Sequence, residues 1–407
     1  MDIVIISQYL RNIENLEGNN SRFIYLANML SQRNNQVEII TSKFLHGGKR
    51  QAVKVAQPEN FKITALAEPG YPKNICLKRF SSHRVLAKNV KKYLSQRQKP
   101  DCIYCAIPSL DVAKVAADYC RKNNVRFIID IQDLWPESFR MVVNIPVISD
   151  VGFAPMNAQA NAIYRQADEI VAVSQTYCDR ALKVNQKVKK AHPVFLGTKL
   201  EVFDKNVAEN PPTLKKLESE IWLGYCGTLG HSYDLHCVIE ALHLLKENGT
   251  PEPKFIVMGG GPKEEEFKSY AEEKQIDAVF TGMLSYPQMC GQIKECDIVV
   301  NPIVGSSAAS IINKHGDYAA SGLPVINTQT SPEYRKLVEE YRMGFNCENG
   351  SAQDMADKLL MLIEDEELRK EMGSNARRCA EEKFDRRTTY KEICDLILET
   401  ANKSSAL

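Results

Sequence analysis

The chain has 407 residues, too many for one ordinary hydrophobic core, so two domains are the simplest expectation. Its apolar and charged fractions, 44% and 25%, are those of soluble globular enzymes and exclude a disordered or membrane-spanning class. A formal net charge of +1 gives no reason to expect a nucleic-acid partner.

The opening run from Met1 to Ile6 has no basic leader, so it does not read as a secretory signal. No apolar stretch approaches the ~20 residues that span a bilayer. The expectation is a cytoplasmic protein, or one peripheral on the inner face of the plasma membrane. Twelve cysteines scattered through apolar runs read as small buried hydrophobes in a reducing compartment. Cys102 and Cys105 fall in a predicted strand, where residues three apart face opposite sides, and no second ligand pair accompanies them.

In chain order, residues 3–6 form a short all-apolar run, as expected of a parallel strand covered on both faces. A polar loop reaches Asn20, and Phe23, Leu26, Ala27 and Leu30 then recur at helical spacing. A strand is expected over 37–41. Between Lys43 and Lys99 the basic residues are opposed only by Glu59 and Glu68, which makes one face of the first half electropositive. Within that stretch Phe80, Val85, Leu86, Val90 and Leu94 supply an apolar stripe among Arg79, Arg84, Lys88, Lys91 and Lys92, so an amphipathic helix is expected. Its basic residues Arg84, Lys88, Lys91 and Lys92 suit an anionic membrane surface, while packing of the stripe on its own domain is the competing reading.

Strands over 102–106, 126–131 and 169–173 then alternate with helices over 110–121 and 155–165, the pattern of an open parallel sheet. Residues 191–212 read as a linker. A second strand and helix series follows, with strands over 221–226, 255–258, 278–281, 297–301 and 324–327, and with helices filling the chain from 352 onward. The fold class expected is α/β, with two tandem doubly wound Rossmann-like domains and a ligand cleft between them.

Ligands of such sheets sit beyond the carboxyl ends of the strands. After the strand over 221–226 comes Gly227-Thr228-Leu229-Gly230-His231-Ser232 and then a helix, a candidate phosphate cradle in which free N–H groups favour an anion. A plain strand-to-helix turn is the other reading. The next strand ends in Gly259-Gly260-Gly261-Pro262, and Gly282 follows the one after. Neither this loop nor Ser7-Gln8-Tyr9 after the first strand has the glycine spacing of a dinucleotide site.

The segment from Ser310 to Ile326 is the most informative. Asn313 is expected to cap a short helix carrying Lys314 and Asp317 on one side, and Gly322 with Pro324 to end it. The cation suits a diphosphate and the carboxylate suits ribose hydroxyls. An ordinary surface ion pair would have the same spacing.

The pattern Lys-x-x-acid-Tyr-x-Ala-x-Gly-x-Pro-Val over 314–325 resembles the donor-site motif of family-four retaining glycosyltransferases of GT-B fold, closest to those that build O-antigens and capsules. Three segments agree in order: Ser21-Arg22 before a helix, Asp133-Leu134-Trp135-Pro136-Glu137-Ser138, and Asn375 to Phe384. The resemblance implies an acceptor-side domain over 1–195, a nucleotide-sugar donor domain over 196–385, and a terminal helix over 386–407 packing back on the first. It implies that Asp317 holds the donor ribose, with Ala309 where relatives carry a further carboxylate. Gly18 and Asn19 stand where relatives have a Gly-Gly loop under the donor phosphates, and Arg22 is implied on the acceptor side. Gln132 replaces a histidine of many relatives, leaving Gln132 and Asp133 as contacts to the sugar or acceptor.

With Gly227, Thr228, Leu229, Gly230, Gly260, Gly282, Ser310 and Lys314, these residues make up the expected donor site. The implied chemistry needs neither a metal nor a cofactor: the protein stabilises the departing phosphate and the anomeric configuration is retained. The implied donor is a UDP-linked N-acetylated sugar and the implied acceptor a lipid-linked saccharide or glycolipid. A GT-B nucleotide-sugar epimerase and a non-catalytic scaffold subunit are the alternatives.

Overall fold

The computed structural model describes residues 1–16, 21–74, 76–140, 148–305 and 311–399. The chain divides into two compact units, Met1–Val194 with Tyr390–Leu407, and Phe195–Thr389.

The first unit is built on a seven-stranded sheet. Its strands are β1 (Asp2–Ile6), β2 (Gln36–Ser42), β5 (Lys62–Leu66), β6 (Cys102–Ile107), β7 (Arg126–Ile131), β8 (Glu169–Ala172) and β9 (His192–Pro193), while β3 (Phe44–Leu45) and β4 (Arg50–Gln51) form a separate antiparallel hairpin. All sheet pairings are parallel, in the order β5-β2-β1-β6-β7-β8-β9. Strands buried on both faces are apolar along their buried length, as β1 is from Ile3 to Ile6 and β6 is apart from the Tyr104 hydroxyl. Cys102 packs with the core on one face of the sheet and Cys105 with the core on the other, as their spacing predicts. Helix Arg22–Ser31 and the terminal helix Arg386–Leu398 supply Leu26, Leu30, Tyr390 and Ile393 to the first of these cores.

The second unit repeats the plan with β10 (Trp222–Cys226), β11 (Lys254–Met258), β12 (Ala278–Gly282), β13 (Ile298–Asn301), β14 (Val325–Asn327) and β15 (Gly344–Asn346), in the order β12-β11-β10-β13-β14-β15. All pairings are again parallel. In each sheet the chain runs outward to one edge and then returns to the centre, so the order reverses between β1 and β6 and between β10 and β13. Adjacent crossovers leave in opposite directions there and open a crevice at the carboxyl ends of the strands.

Two expectations need correction, and a third settles on one of its two readings. Residues 191–212 are not a plain linker: they hold β9 and the helix Leu200–Glu209, anchored by buried Leu200 and Phe203. Leu200, Phe203 and Val207 recur at helical spacing, a signal that the surrounding polar and proline residues masked. The helix expected over 155–165 runs Ile148–Gln166 with Pro155 inside it. The helix Leu77–Gln96 does form, but its stripe residues Leu86, Val90 and Leu94 are buried in the unit's own core, leaving Arg84, Lys88, Lys91 and Lys92 exposed. Among the described residues no helix is long and apolar enough to cross a membrane.

Candidate functional site

The crevice of the second unit lies between β10 and β13. These strands pair at Leu223 and Gly224 and then separate. The Tyr318 hydroxyl enters the gap, accepting from the Cys226 N–H at 3.0 Å and donating to the Val300 carbonyl at 3.1 Å. It thereby satisfies backbone groups that strand separation would otherwise orphan.

Glycines line one wall. A Cβ on Gly259 would lie 1.8 Å from the Gly227 carbonyl oxygen, and one on Gly261 would lie 2.2 Å from the Leu229 carbonyl oxygen. The two loops press backbone on backbone, joined by the Gly227 N–H to the Met258 carbonyl and the Leu229 N–H to the Gly260 carbonyl, both at 3.0 Å. This corrects the simple phosphate cradle: the N–H groups of Gly227 and Leu229 are already used. Those of Thr228 and Gly230 make no hydrogen bond among the described residues. The following helix starts only at Leu235 and is capped by the Asp234 side chain, which accepts from the Cys237 N–H at 3.1 Å. At Gly230 the only atom near an added Cβ is Thr228 Cγ2, at 3.7 Å. Gly282, at φ +70, has open space around it, and the next residue, Met283, is 85% exposed.

Helix Asn313–Ser321 forms the other wall. Asn313 is its first helical residue and not the cap, since Ile312 takes that place and its N–H donates to His315 Nδ1 at 3.3 Å. Gly322 ends the helix at φ +66 as expected. Lys314 and Asp317 lie on this helix, but they serve different neighbourhoods and form no ion pair. The buried Lys314 ammonium sits 4.2 Å from the Tyr225 ring centre and 4.0 Å from that of Tyr233, and among the described residues its Nζ has no hydrogen-bond partner. It lies 2.8 Å from where a Gly227 Cβ would stand. Burial pushes its pKa down to about 7. Two aromatic faces offset part of that cost, and an anion would offset far more.

Asp317 accepts from Tyr286 at 2.8 Å and from Thr198 at 3.0 Å, both on Oδ1, so Oδ2 remains for a further donor. Burial raises its pKa above the usual carboxylate value, against the two hydroxyl donors. Tyr233, Tyr225, Tyr286 and Thr198 were not identified from sequence. Tyrosine and threonine in a strand, a loop or a connector carry no spacing signal, and only the fold brings them to this helix.

In the first unit Arg22 is buried, with Nε 2.7 Å from Asp130 Oδ2 and Nη1 donating to the Val194 carbonyl at 2.9 Å. Tyr104 and Gln132 also donate to Asp130, each at 2.7 Å. Arg22 and Gln132 therefore meet at one buried carboxylate. Asp133 follows at the end of β7, accepting from Trp135 Nε1 at 3.2 Å, and burial raises its pKa. Gly18, Asn19, Ala309 and Ser310 lie outside the described residues. Among the described residues no cluster of metal-ligating side chains occurs.

Residues 206–379 match the family model described as "Glycosyl transferases group 1". An uncharacterized glycosyltransferase of Methanocaldococcus jannaschii is 22% identical over 233 residues, covering 56% of this chain and 58% of that protein. The poly(ribitol-phosphate) alpha-N-acetylglucosaminyltransferase of Staphylococcus aureus is 24% identical over 174 residues, covering 42% and 34%. The chain thus spans between a third and three fifths of the length of these relatives. Among solved structures, sucrose-phosphate synthase from Thermosynechococcus elongatus superposes with a TM-score of 0.70 at 16% identity, covering 100% of this chain and 99% of that one. Anabaena HepE in complex with UDP gives 0.67 at 16% identity, covering 98% and 100%. The fold is GT-B, two Rossmann-like halves.

Proposed function

We propose that this chain is a retaining, metal-independent glycosyltransferase that moves a sugar from a UDP-linked donor to a lipid-linked saccharide or glycolipid in polysaccharide biosynthesis. The observation that carries the reading is the Lys314 ammonium, buried at the crevice of the second unit beside the glycine turn and without a hydrogen-bonding partner among the described residues. A buried cation without an anion marks where one arrives. The match over 206–379 and the UDP bound by Anabaena HepE support a nucleoside diphosphate as that anion. The S. aureus relative's name supports an N-acetylglucosamine-type sugar.

In this reading Lys314 and the Thr228 and Gly230 N–H groups take the diphosphate, Asp317 Oδ2 accepts from the ribose, and Met283 offers an apolar surface to the base. Gly18, Asn19, Gly260, Gly282 and Ser310 are assigned to the same donor site. As the bond from the anomeric carbon to the phosphate oxygen breaks, the acceptor oxygen bonds to the same face and the departing phosphate takes its proton. The protein's contribution is charge stabilisation in a water-poor crevice. Gln132 and Asp133 are assigned to the sugar or acceptor, and Arg22 to holding that end of β7 on the acceptor side. The exposed basic face of Arg84, Lys88, Lys91 and Lys92 is assigned to an anionic membrane surface, where each charge contributes about 1 kcal/mol.

A thermal-shift panel of nucleotide-sugars tests the donor assignment, because a ligand at a hundredfold excess over Kd stabilises the folded state by about 2.7 kcal/mol. UDP-sugars should raise Tm and release free UDP when acceptor is present, including in EDTA. No shift with any nucleotide-sugar would defeat the proposal.

A further inference from the structure

The first unit holds a second concentration of chemistry that the donor reading leaves unused. Tyr9 follows β1, Lys49 stands in the β3–β4 turn, Tyr71 follows β5, Arg79 and His83 lie on helix Leu77–Gln96, and Trp135 follows β7. Their rings form one continuous bed: Tyr71 meets His83 at 5.7 Å and His83 stacks on Trp135 at 5.8 Å. Arg79 rests on this bed, its guanidinium carbon 4.7 Å above Trp135 and 5.6 Å above Tyr71. Its Nη2 donates to the Tyr9 hydroxyl at 3.1 Å and its Nη1 to the Asn74 carbonyl at 2.9 Å, while its Nε is buried with no partner. Lys49, held at φ +50, approaches the same Tyr71 ring at 4.9 Å and donates to the Asn74 side chain.

Two cations therefore converge on one tyrosine and one asparagine. Among the described residues neither has a carboxylate in contact. Glu68 and Asp133 lie within reach of Arg79's field, but Gln8 and Ser82 already donate to the first and Trp135 to the second, and burial raises the pKa of both. His46, bonded to Tyr71 at 2.6 Å, has its pKa lowered to about 4, first by burial and then by Lys49 and Arg79. Beside these groups lies a depression of about 400 Å³ lined by Lys49, Lys78, Tyr71, Gln51, Phe44 and Pro69. Like charges held together without a carboxylate in contact repel, and an oxyanion between them relieves that repulsion through charge-assisted hydrogen bonds. The rings beneath are buried, Tyr71 and Trp135 at 4% exposure and His83 at 1%, so they fix the two cations in place and a ligand meets the cations at the rim.

We propose that this face binds a saccharide carrying an oxyanion, phosphate or carboxylate, so that Arg79 and Lys49 choose the acceptor by its negative charge. The inference rests on the glycosyltransferase reading and adds the class of acceptor. The chain has two tryptophans, so fluorotryptophan labelling gives two fluorine NMR signals, and Trp222→Phe identifies that of Trp135. The full-length protein is titrated with galactose 6-phosphate, glucuronate, methyl galactoside and inorganic phosphate at matched ionic strength, and with anionic vesicles. A saturable shift of the Trp135 signal with the sugar phosphate, the uronate or both is expected, and whichever responds names the anion. Arg79→Gln and the more exposed Lys49→Ala should each weaken it at least tenfold. Equal response to the neutral glycoside or to inorganic phosphate, response to vesicles alone, or unaltered affinity in Lys49→Ala would overturn the proposal. Nucleotide-sugar thermal shifts on the same samples separate the two readings. Donor stabilisation without the sugar response sinks only the acceptor class, and loss of donor stabilisation sinks the transferase.

Discussion

Replacing Lys314 with Met should make the protein more stable and its grip on a nucleoside diphosphate weaker. The Lys314 ammonium is buried and, among the described residues, without a hydrogen-bond partner, and burial lowers its pKa from 10.5 to about 7. That drop corresponds to about 5 kcal/mol of lost preference for the charged form. The unfolded chain keeps its proton up to its ordinary value, whereas the folded protein releases it above about pH 7. The penalty on folding is therefore complete below pH 7 and fades as pH rises toward 10.5. Methionine fills similar space without charge, so Lys314→Met should gain about 3 to 5 kcal/mol at and below pH 7, with the gap closing at higher pH. A bound diphosphate supplies the missing counter-charge, a contact of about 1.5 to 3 kcal/mol, so the same change should weaken UDP roughly tenfold to 150-fold. In the wild type, UDP affinity should fall as pH rises above 7, because each amine that has lost its proton must regain it on binding. Urea unfolding without ligand and calorimetric titration of UDP across this range measure both effects. A Lys314→Met protein no more stable than wild type below pH 7, or one that binds UDP as tightly, would refute the reasoning.

The glycine pair offers a contrast: Gly259→Ala drives a Cβ into the Gly227 carbonyl and should cost roughly 3 kcal/mol or more by urea unfolding, while Gly230→Val, with its nearest neighbour at 3.7 Å, should keep the fold and lose UDP binding. A Gly230→Val protein with normal UDP affinity would place the phosphates elsewhere. Arg22→Met leaves the Asp130 charge buried without its cation and should cost about 3–5 kcal/mol, part of it recovered in the Arg22→Met, Asp130→Leu double variant, where Tyr104 and Gln132 lose their acceptor. Equal destabilisation of single and double variants would deny the pairing its weight. Wild-type protein should co-sediment with anionic liposomes at low salt and release at high salt, and a Lys88, Lys91, Lys92 triple Ala variant should not bind; equal behaviour of the two would assign that face another role.

The sequence by itself determined the elements, because their signals are local. Apolar runs identified most strands of both sheets to within a residue or two, and helical spacing found helices such as Leu235–Glu247 and Ala352–Glu364. Short or polar pieces escaped, among them β5, β15 and the hairpin of β3 and β4, which are too short or too polar to show a period. The motif around Lys314 and the glycines of both loops were equally legible, being contiguous.

Only the tertiary structure decided what those residues face. Lys314 and Asp317 share a helix, yet one is enclosed by Tyr225 and Tyr233 and the other by Thr198 and Tyr286, four residues from four separate segments. The glycines at 227 and 259 answer first to each other's backbone. The stripe on helix Leu77–Gln96 could have faced a bilayer or a core, and the parallel sheet beside it settled that it faces the core. Periodicity records which residues of one element lie together, while burial, hydrogen-bond use and proton affinity depend on neighbours brought by the chain's return crossovers, about which no local window carries information.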